Sequence, residues 1–236
     1  MTAFRFKQFS VEHDRSSMKV GTDGVLLGVA ADVDGATKIL DAGTGCGVIA
    51  LVLAQRCSAK ITAIDIDKLS VEEAAVNFRN SPWADRLIAF NESLQAHAVF
   101  GTDQYDAIVS NPPFFQNSLK NPDEKKMRAR HNDALPFDEL LESSARLLKP
   151  EGSLWVILPL TESQVFEEFA KQNGFLTEYR MLIHPKPGRA ANRVIQKFTR
   201  KQHRNELVSD SLTIRNEDNT FTEAYQKLTA EFYLNF

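Results

Sequence analysis

Two short runs in this chain carry residue types that could do chemistry, and each follows a strand-like segment. Asn111-Pro112-Pro113-Phe114 comes directly after Tyr105–Val109 and Ser110. Proline has no N–H and fixes φ, so the two prolines hold Asn111 extended. The amide oxygen of Asn111 and the carbonyl of Pro112 then form a pair of acceptors, which suits a planar –NH2 group with two hydrogens to give. Accepting both hydrogens draws the nitrogen out of conjugation with its ring and aims its lone pair at an electrophile. Phe114 supplies an aromatic face on which a flipped-out base could stack. Asn111, Pro112 and Phe114 are therefore the catalytic candidates.

The second run, Asp41-Ala-Gly43-Thr-Gly45-Cys-Gly47, separates the short strand Lys38–Leu40 from a helix over Gly47–Arg56. Glycines allow a sharp turn and close approach of a ligand, and the helix that follows offers free N–H groups. This places a nucleotide-like cofactor at the C-terminal end of the first strand of an open α/β sheet. Asp65 ends the next strand, Lys60–Ile64, where a carboxylate can accept both hydroxyls of a ribose. Gly45-Cys-Gly47-Val-Ile-Ala50 also satisfies the dinucleotide pattern, and Asp65 lies 20 residues after Gly45, where that pattern places its acid. A nicotinamide or flavin dinucleotide thus stays a competitor. Asp41, which could hold a cationic amino group, the extra glycine Gly43, and the lack of length for a separate substrate domain lean against it.

These runs need a scaffold, and the rest of the chain reads as one. Helical spacing over Ser70–Arg79, Phe137–Leu148 and Glu162–Gln172 alternates with strands at Leu87–Phe90, Tyr105–Val109, Leu154–Leu158 and Phe175–Ile183, as in a mostly parallel sheet with helices on both faces. Arg193–Thr199 follows with no helix between, which predicts an antiparallel strand at one edge. Thr22–Ala31 reads as a helix capped by Thr22, and Phe221–Phe236 as a short amphipathic helix folded back on the body. The chain of 236 residues, 43% hydrophobic and 25% charged, can bury a sizeable core. We expect a single domain: an N-terminal cap over 1–37, a core over 38–204 and a C-terminal extension over 205–236. No apolar run reaches a membrane span, and Met1–Ser10 has no signal-like apolar region. With two cysteines and no CxxC pair, a reducing cytoplasm is expected, and no metal is implied. No H-E-x-x-H or G-x-S-x-G pattern points to a metalloprotease or a serine hydrolase.

The order and spacing of Asp41–Gly47, Asp65 and Asn111–Phe114 resemble those of class I S-adenosylmethionine-dependent methyltransferases that modify an exocyclic or amide nitrogen. The resemblance narrows at Phe6-Lys-Gln-Phe9, His13-Asp-Arg15, Met18–Leu27, Ser81–Arg86, Phe221–Leu228 and Phe232-Tyr-Leu234. These stretches look like the bacterial tRNA(Val) adenine-37 N6-methyltransferase family. The family implies a Rossmann-like fold with a seven-stranded sheet whose last strand is antiparallel, S-adenosylmethionine as cofactor, and tRNA as substrate. It also implies that Lys19, Gly21, Thr22 and Asp23 lie over the cofactor, which Gly43, Gly45 and Asp65 contact. An Asp that often binds the cofactor's adenine amino group at the end of the third strand is replaced here by Asn91-Glu92-Ser93, so Ser93 or Glu92 takes that place.

The formal charge of −3 hides an asymmetry. His184–Arg204 holds seven Lys and Arg and no acid, and Lys120–His131 a net +3. A cationic face of this kind suits phosphates, which makes Lys186, Arg189 and Arg193, with Lys120, Lys125, Lys126 and Arg128, the RNA-binding candidates. The sequence reading is an S-adenosylmethionine-dependent adenine N6-methyltransferase acting on tRNA, with no obligate protein partner. Its rivals are glutamine methylation of a protein, guanine N2-methylation of ribosomal RNA, and a dinucleotide-dependent oxidoreductase.

Overall fold

The computed structural model describes residues 3–101, 104–113, 135–200 and 206–235. A small hairpin, β1 (Phe4–Arg5) and β2 (Ser10–Val11), leads into α1 (Thr22–Ala30). Alternation then begins: β3 (Lys38–Ala42), α2 (Val48–Arg56), β4 (Lys60–Asp65), α3 (Lys68–Arg79), β5 (Leu87–Asn91), α4 (Leu94–Phe100) and β6 (Tyr105–Ser110). After the undescribed stretch come α5 (Phe137–Leu147), β7 (Leu148–Pro159), α6 (Leu160–Gln172), β8 (Leu176–His184), β9 (Arg193–Thr199), β10 (Val208–Thr213) and α7 (Glu223–Thr229).

Among the described residues the main sheet has eight strands in the order β10-β8-β9-β7-β6-β3-β4-β5. Ile39, Leu40, Ala42, Ile61, Ala63, Ile64, Ile108 and Val109 are all buried, as expected of parallel strands covered on both faces. One apolar layer joins α1, α2 and part of α3 to the sheet. The other is built on Leu140 and Leu141 of α5 and Phe166 and Ala170 of α6. From β3 the chain runs outward through β4 and β5, then returns to place β6 on the other side of β3. The gap between the ends of β3 and β6 is therefore the switch point of the sheet, where ligands of open α/β folds bind. Ser110 Oγ donates to the Ala42 carbonyl across it at 2.8 Å.

The expected α/β fold is present, with two differences in the sheet. β9 is antiparallel, but it lies between β7 and β8 rather than at the edge. The edge is β10, parallel to β8, in a segment that the sequence reading gave no strand. Its first four residues are exposed, so it lacks the apolar signal of a core strand. Thr22 is the first residue of α1 and not its cap, which is Gly21 with no side-chain hydrogen bond. The two ends of the chain pack together: Phe6 bridges Tyr233, and the Lys7 N–H donates to the Phe232 carbonyl at 2.8 Å. No helix among the described residues is long and apolar enough to cross a membrane.

Candidate active site at the switch point

The glycine loop is held from behind. Asp41, at the end of β3, is fully buried, and its Oδ2 accepts from Thr44 Oγ1 at 2.6 Å and from the Ala50 N–H at 3.2 Å. Burial pushes its carboxyl up to about 7, against the pull of those two hydrogen bonds and with a smaller push from Asp65. Its Oδ1 is buried with no hydrogen-bond partner among the described residues. The Gly43 and Thr44 N–H groups both donate to the Ile64 carbonyl, which ties the loop to β4. Asp65 completes the clamp: Oδ2 accepts from the Gly45 N–H and Oδ1 from the Asp67 N–H, each at 2.9 Å. Desolvation raises the Asp65 carboxyl above its usual range. Each oxygen keeps a lone pair for a further donor.

Gly43 and Gly45 have φ of 78° and 55°, and a Cβ on either would meet nothing within 4 Å. Both open on a cavity of about 320 Å3. Its other walls are Lys19, Gly21, Thr22 and Asp23 from the N-terminal segment, and Asn111 from the end of β6. The structure thus brings Gly43, Gly45 and Asn111 together with the segment expected over the cofactor, while Asp41 and Asp65 hold the loop from behind and are not among the described lining residues. Asn111 Oδ1 is buried and has no hydrogen-bond partner among the described residues. Pro112 is buried beside it. Phe114 lies outside the described residues.

Ser93 and Glu92 are not brought into this cavity. Ser93 Oγ caps α4, accepting from the Ala96 N–H at 3.1 Å. Glu92 Oε1 lies 2.7 Å from His97 Nδ1, and His97 Nε2 lies 2.8 Å from the Tyr105 hydroxyl. Asn91 is the residue of that run nearest in role to the loop: its Nδ2 donates to the Asp65 and Ile66 carbonyls at 3.0 Å.

Sequence reasoning missed what seats the N-terminal segment. Glu73 on α3 accepts from the Arg15 and Ser16 N–H groups, each at 2.9 Å, and from Ser16 Oγ at 2.6 Å. Burial acts against the charge, but these donors hold Glu73 below the usual carboxylate range. Asn77, one turn on, accepts from the Glu12 N–H and donates to the Glu12 and Cys46 carbonyls, each at 2.8 Å. His13 Nδ1 accepts from the Val20 N–H at 3.1 Å. The available signal was a pair of polar residues spaced i,i+4 on the face of α3 that also carries Ala74 and Phe78.

The basic stretch divides across the sheet. Because β9 runs antiparallel, Arg193 starts it at the edge where the glycine-loop cavity lies, whereas Thr199 sits at the opposite edge, beside Ser153. Lys197 pairs with Glu178 at 3.3 Å, and Arg200 donates to the Ala145 carbonyl at 3.0 Å. Arg189 is exposed, and Lys186 Nζ donates to the Glu217 carbonyl at 3.2 Å. Arg193 Nε donates to Asp23 Oδ2 at 2.8 Å, so an expected phosphate ligand is engaged with an expected cofactor ligand. Lys120, Lys125, Lys126 and Arg128 lie outside the described residues.

Residues 16–172 match the model of the methyltransferase small domain. A tRNA1(Val) (adenine(37)-N6)-methyltransferase of Phocaeicola vulgatus is 48% identical over 98% of this chain and 97% of that protein. The protein of the same description from Trichodesmium erythraeum is 41% identical over 99% of this chain and 98% of its own. Among solved structures, a predicted O-methyltransferase from Agrobacterium tumefaciens has a TM-score of 0.69 at 19% identity, over 89% of this chain and 96% of that one. With the cavity at the switch point and relatives that match from end to end, the chain belongs to the methyltransferase small-domain family and, within it, to the tRNA1(Val) (adenine(37)-N6)-methyltransferases.

Proposed function

We propose that this protein methylates N6 of adenosine 37 in tRNA1(Val), with S-adenosylmethionine as donor, and that it does so in the cytoplasm as one catalytic unit. The observation that carries the reading is the buried, unpartnered Asn111 Oδ1 in the wall of the cavity onto which Gly43 and Gly45 open. An orphaned buried acceptor costs about 1–3 kcal/mol and persists where a ligand supplies the donor. The donor set fits the cofactor. Left-handed glycines leave room for it, Asp65 retains lone pairs for ribose hydroxyls, and Asp41 Oδ1, another of the buried oxygens without a partner among the described residues, suits a cationic amino group.

When bound, S-adenosylmethionine supplies an electrophilic methyl group on a sulfonium. The chain's own work is to position the attacking nitrogen and polarise it. Asn111 Oδ1 accepts one hydrogen of the adenine amino group, and the Pro112 carbonyl accepts the other. Both acceptors are fixed before the substrate arrives, so they need not reorganise as charge develops on nitrogen. No strong base is required, because the methylated cationic nitrogen is acidic and releases its proton to solvent. The segment from Lys19 to Asp23, which leads into α1, lies over the loop; His13 holds it at Val20, and Glu73 and Asn77 brace the chain just before it at Glu12, Arg15 and Ser16.

The test is nucleoside mass spectrometry of tRNA from cells lacking the gene, together with methylation of the unmodified transcript by purified protein. Loss of N6-methyladenosine at position 37, restored in vitro, supports the reading. Intact modification in those cells refutes it.

A further inference from the structure

The sheet ends on one side at β5, and no strand among the described residues pairs with its outer edge. β5 reads Leu87-Ile88-Ala89-Phe90-Asn91, with no charge, no proline and no break in its register against β4. Edge strands of soluble proteins normally carry such features, because an open row of N–H and C=O groups pairs with any strand that reaches it. β10, at the other edge, follows that rule with Ser209, Asp210 and Ser211. β5 instead leaves two large apolar side chains in the open, Ile88 at 50% and Phe90 at 42%. The register sets Phe90 beside Ile64 of β4, so Phe90 and Ile88 point to the face that also holds Leu94 of α4. α4 packs against α5 and leaves them uncovered, and its own last residues, Val99 and Phe100, are exposed too.

The backbone of β5 has a definite parity. The Ile61 N–H donates to the Arg86 carbonyl at 2.9 Å. In a parallel ladder a residue turns its N–H and C=O to the same neighbour, and the next residue turns both away. Ile88 and Phe90 therefore spend theirs on β4, while Leu87, Ala89 and Asn91 present theirs outward. A twofold axis at Ala89 brings this edge against the same edge of a second copy, antiparallel. Every outward residue then meets an outward residue: Ala89 meets Ala89, Leu87 meets Asn91, and each pair exchanges both hydrogen bonds. Between them Ile88 meets Phe90 of the second copy at the closer, non-hydrogen-bonded spacing, an apolar pair that the symmetry repeats. One step further out Arg86 meets Glu92, so the ends of the join oppose unlike charges. Arg86 donates to the Ala54 and Ala59 carbonyls and has no carboxylate partner among the described residues.

We infer that β5 is the interface of a homodimer, in which two copies of this chain join their sheets edge to edge about a twofold axis at Ala89. Backbone parity, the Ile88–Phe90 pair and the Arg86–Glu92 pair are all satisfied by the strand's own sequence in one register, which selects a second copy over a strand of unrelated sequence. A self-complementary patch of this kind closes on itself and leaves no further edge for growth. Because the strands run antiparallel across the join, the two glycine-loop cavities lie at opposite margins of the combined sheet, and each copy keeps its own site.

Sedimentation velocity of the full chain tests this. Wild type should sediment at twice the chain mass. The double variant Ile88→Lys/Phe90→Lys sets like charges opposite one another and should sediment at the chain mass, as should Ile88→Glu/Phe90→Glu. An equal mixture of the two variants should recover the dimer. Both side chains are exposed and lie outside the glycine-loop cavity, so S-adenosylmethionine affinity should match wild type, which shows that the variants are folded. Amide exchange needs no variant: the Ala89 N–H of wild type should be protected at dimeric concentrations and exchange freely on dilution. Wild type that stays monomeric across the micromolar range overturns the interface. If its Ala89 N–H is protected even then, another part of the same chain covers the edge; if it exchanges freely, the edge is open to a strand of a different protein. Variants that remain dimeric, or a mixture that stays monomeric, overturn the β5 pairing.

Discussion

Asp41 is the residue at which folding and function pull apart, and Asp41→Asn measures by how much. The carboxyl is fully buried, and burial lifts it from 3.8 to about 7. For a carboxyl raised in the folded state, the stabilisation is complete below 3.8 and is lost as pH rises through about 7. Above that, the fold holds a buried anion whose Oδ1 has no partner. At about 1.4 kcal/mol for each tenfold change in proton affinity, the cost at pH 8.5 reaches about 4 kcal/mol as an upper bound. The amide of the variant is never charged and can still accept from Thr44 and Ala50, but its N–H2 group lacks a good acceptor, which takes back about 1–3 kcal/mol. The net expectation is a cofactor-free variant about 2 kcal/mol more stable than wild type at pH 8.5. For a chain of this length that is a rise in Tm of about 4–8 °C. At pH 5 the wild-type carboxyl is protonated and the advantage vanishes or reverses. Thermal unfolding of both proteins at the two pH values tests this, since every other titrating group is common to both. Calorimetric titration at pH 8.5 should show S-adenosylmethionine binding weakened at least tenfold, the loss of one charge-assisted hydrogen bond. Parallel Tm profiles against pH would refute the burial argument. Altered profiles with unchanged cofactor affinity would leave Asp41 as a brace for the loop and remove it from the cofactor site.

The other predictions are briefer. Asn111→Ala should lower single-turnover methylation at least a hundredfold, about 3 kcal/mol in the barrier, with S-adenosylmethionine affinity within a few fold. Glu73→Ala removes the three hydrogen bonds that seat Arg15 and Ser16, so it should weaken cofactor binding at a distance from the cavity. Because Glu73 is held below its usual range, the stability lost in that variant, read by urea unfolding, should be largest at pH 7 and shrink as pH falls below about 4. Replacing Lys186 and Arg189 by Ala should raise KM for tRNA and flatten the salt dependence of binding by roughly 0.7–0.9 per lost phosphate contact. Arg193→Ala should behave differently from that pair and weaken cofactor binding as well, because its guanidinium holds Asp23 in the wall of the cavity.

How much of this was legible in the sequence depends on the range over which each signal acts. β3, β4 and β6 were readable because their centres, Ile39–Leu40, Ile61–Ile64 and Ala107–Val109, are apolar or β-branched, as strands covered on both faces require, and the turns after β3 and β6 were readable because glycine and proline act on their own backbone. Those two turns carry Gly43, Gly45 and Asn111, so local chemistry alone singled out three residues that the fold brings to one cavity. β10 was not readable, since an exposed edge strand that pairs on one side needs no apolar alternation, and its signal is the distant partner β8. Ser93 shows a related ambiguity. A serine at the end of a strand serves equally as a ligand or as a cap, and the choice was made by α4, whose Ala96 N–H it accepts. Arg193 shows the same limit for charge. Counting cations along His184–Arg204 finds a basic stretch, but an antiparallel strand sends its two ends to opposite edges of the sheet, and only the fold reveals that Arg193 meets Asp23. Residue type and spacing therefore fixed which chemistry the chain could perform. Which of its polar groups remain available for that chemistry was decided by tertiary partners: six buried side-chain oxygens among the described residues have none, and two of them, on Asp41 and Asn111, lie at the ends of β3 and β6, the strands that flank the switch point.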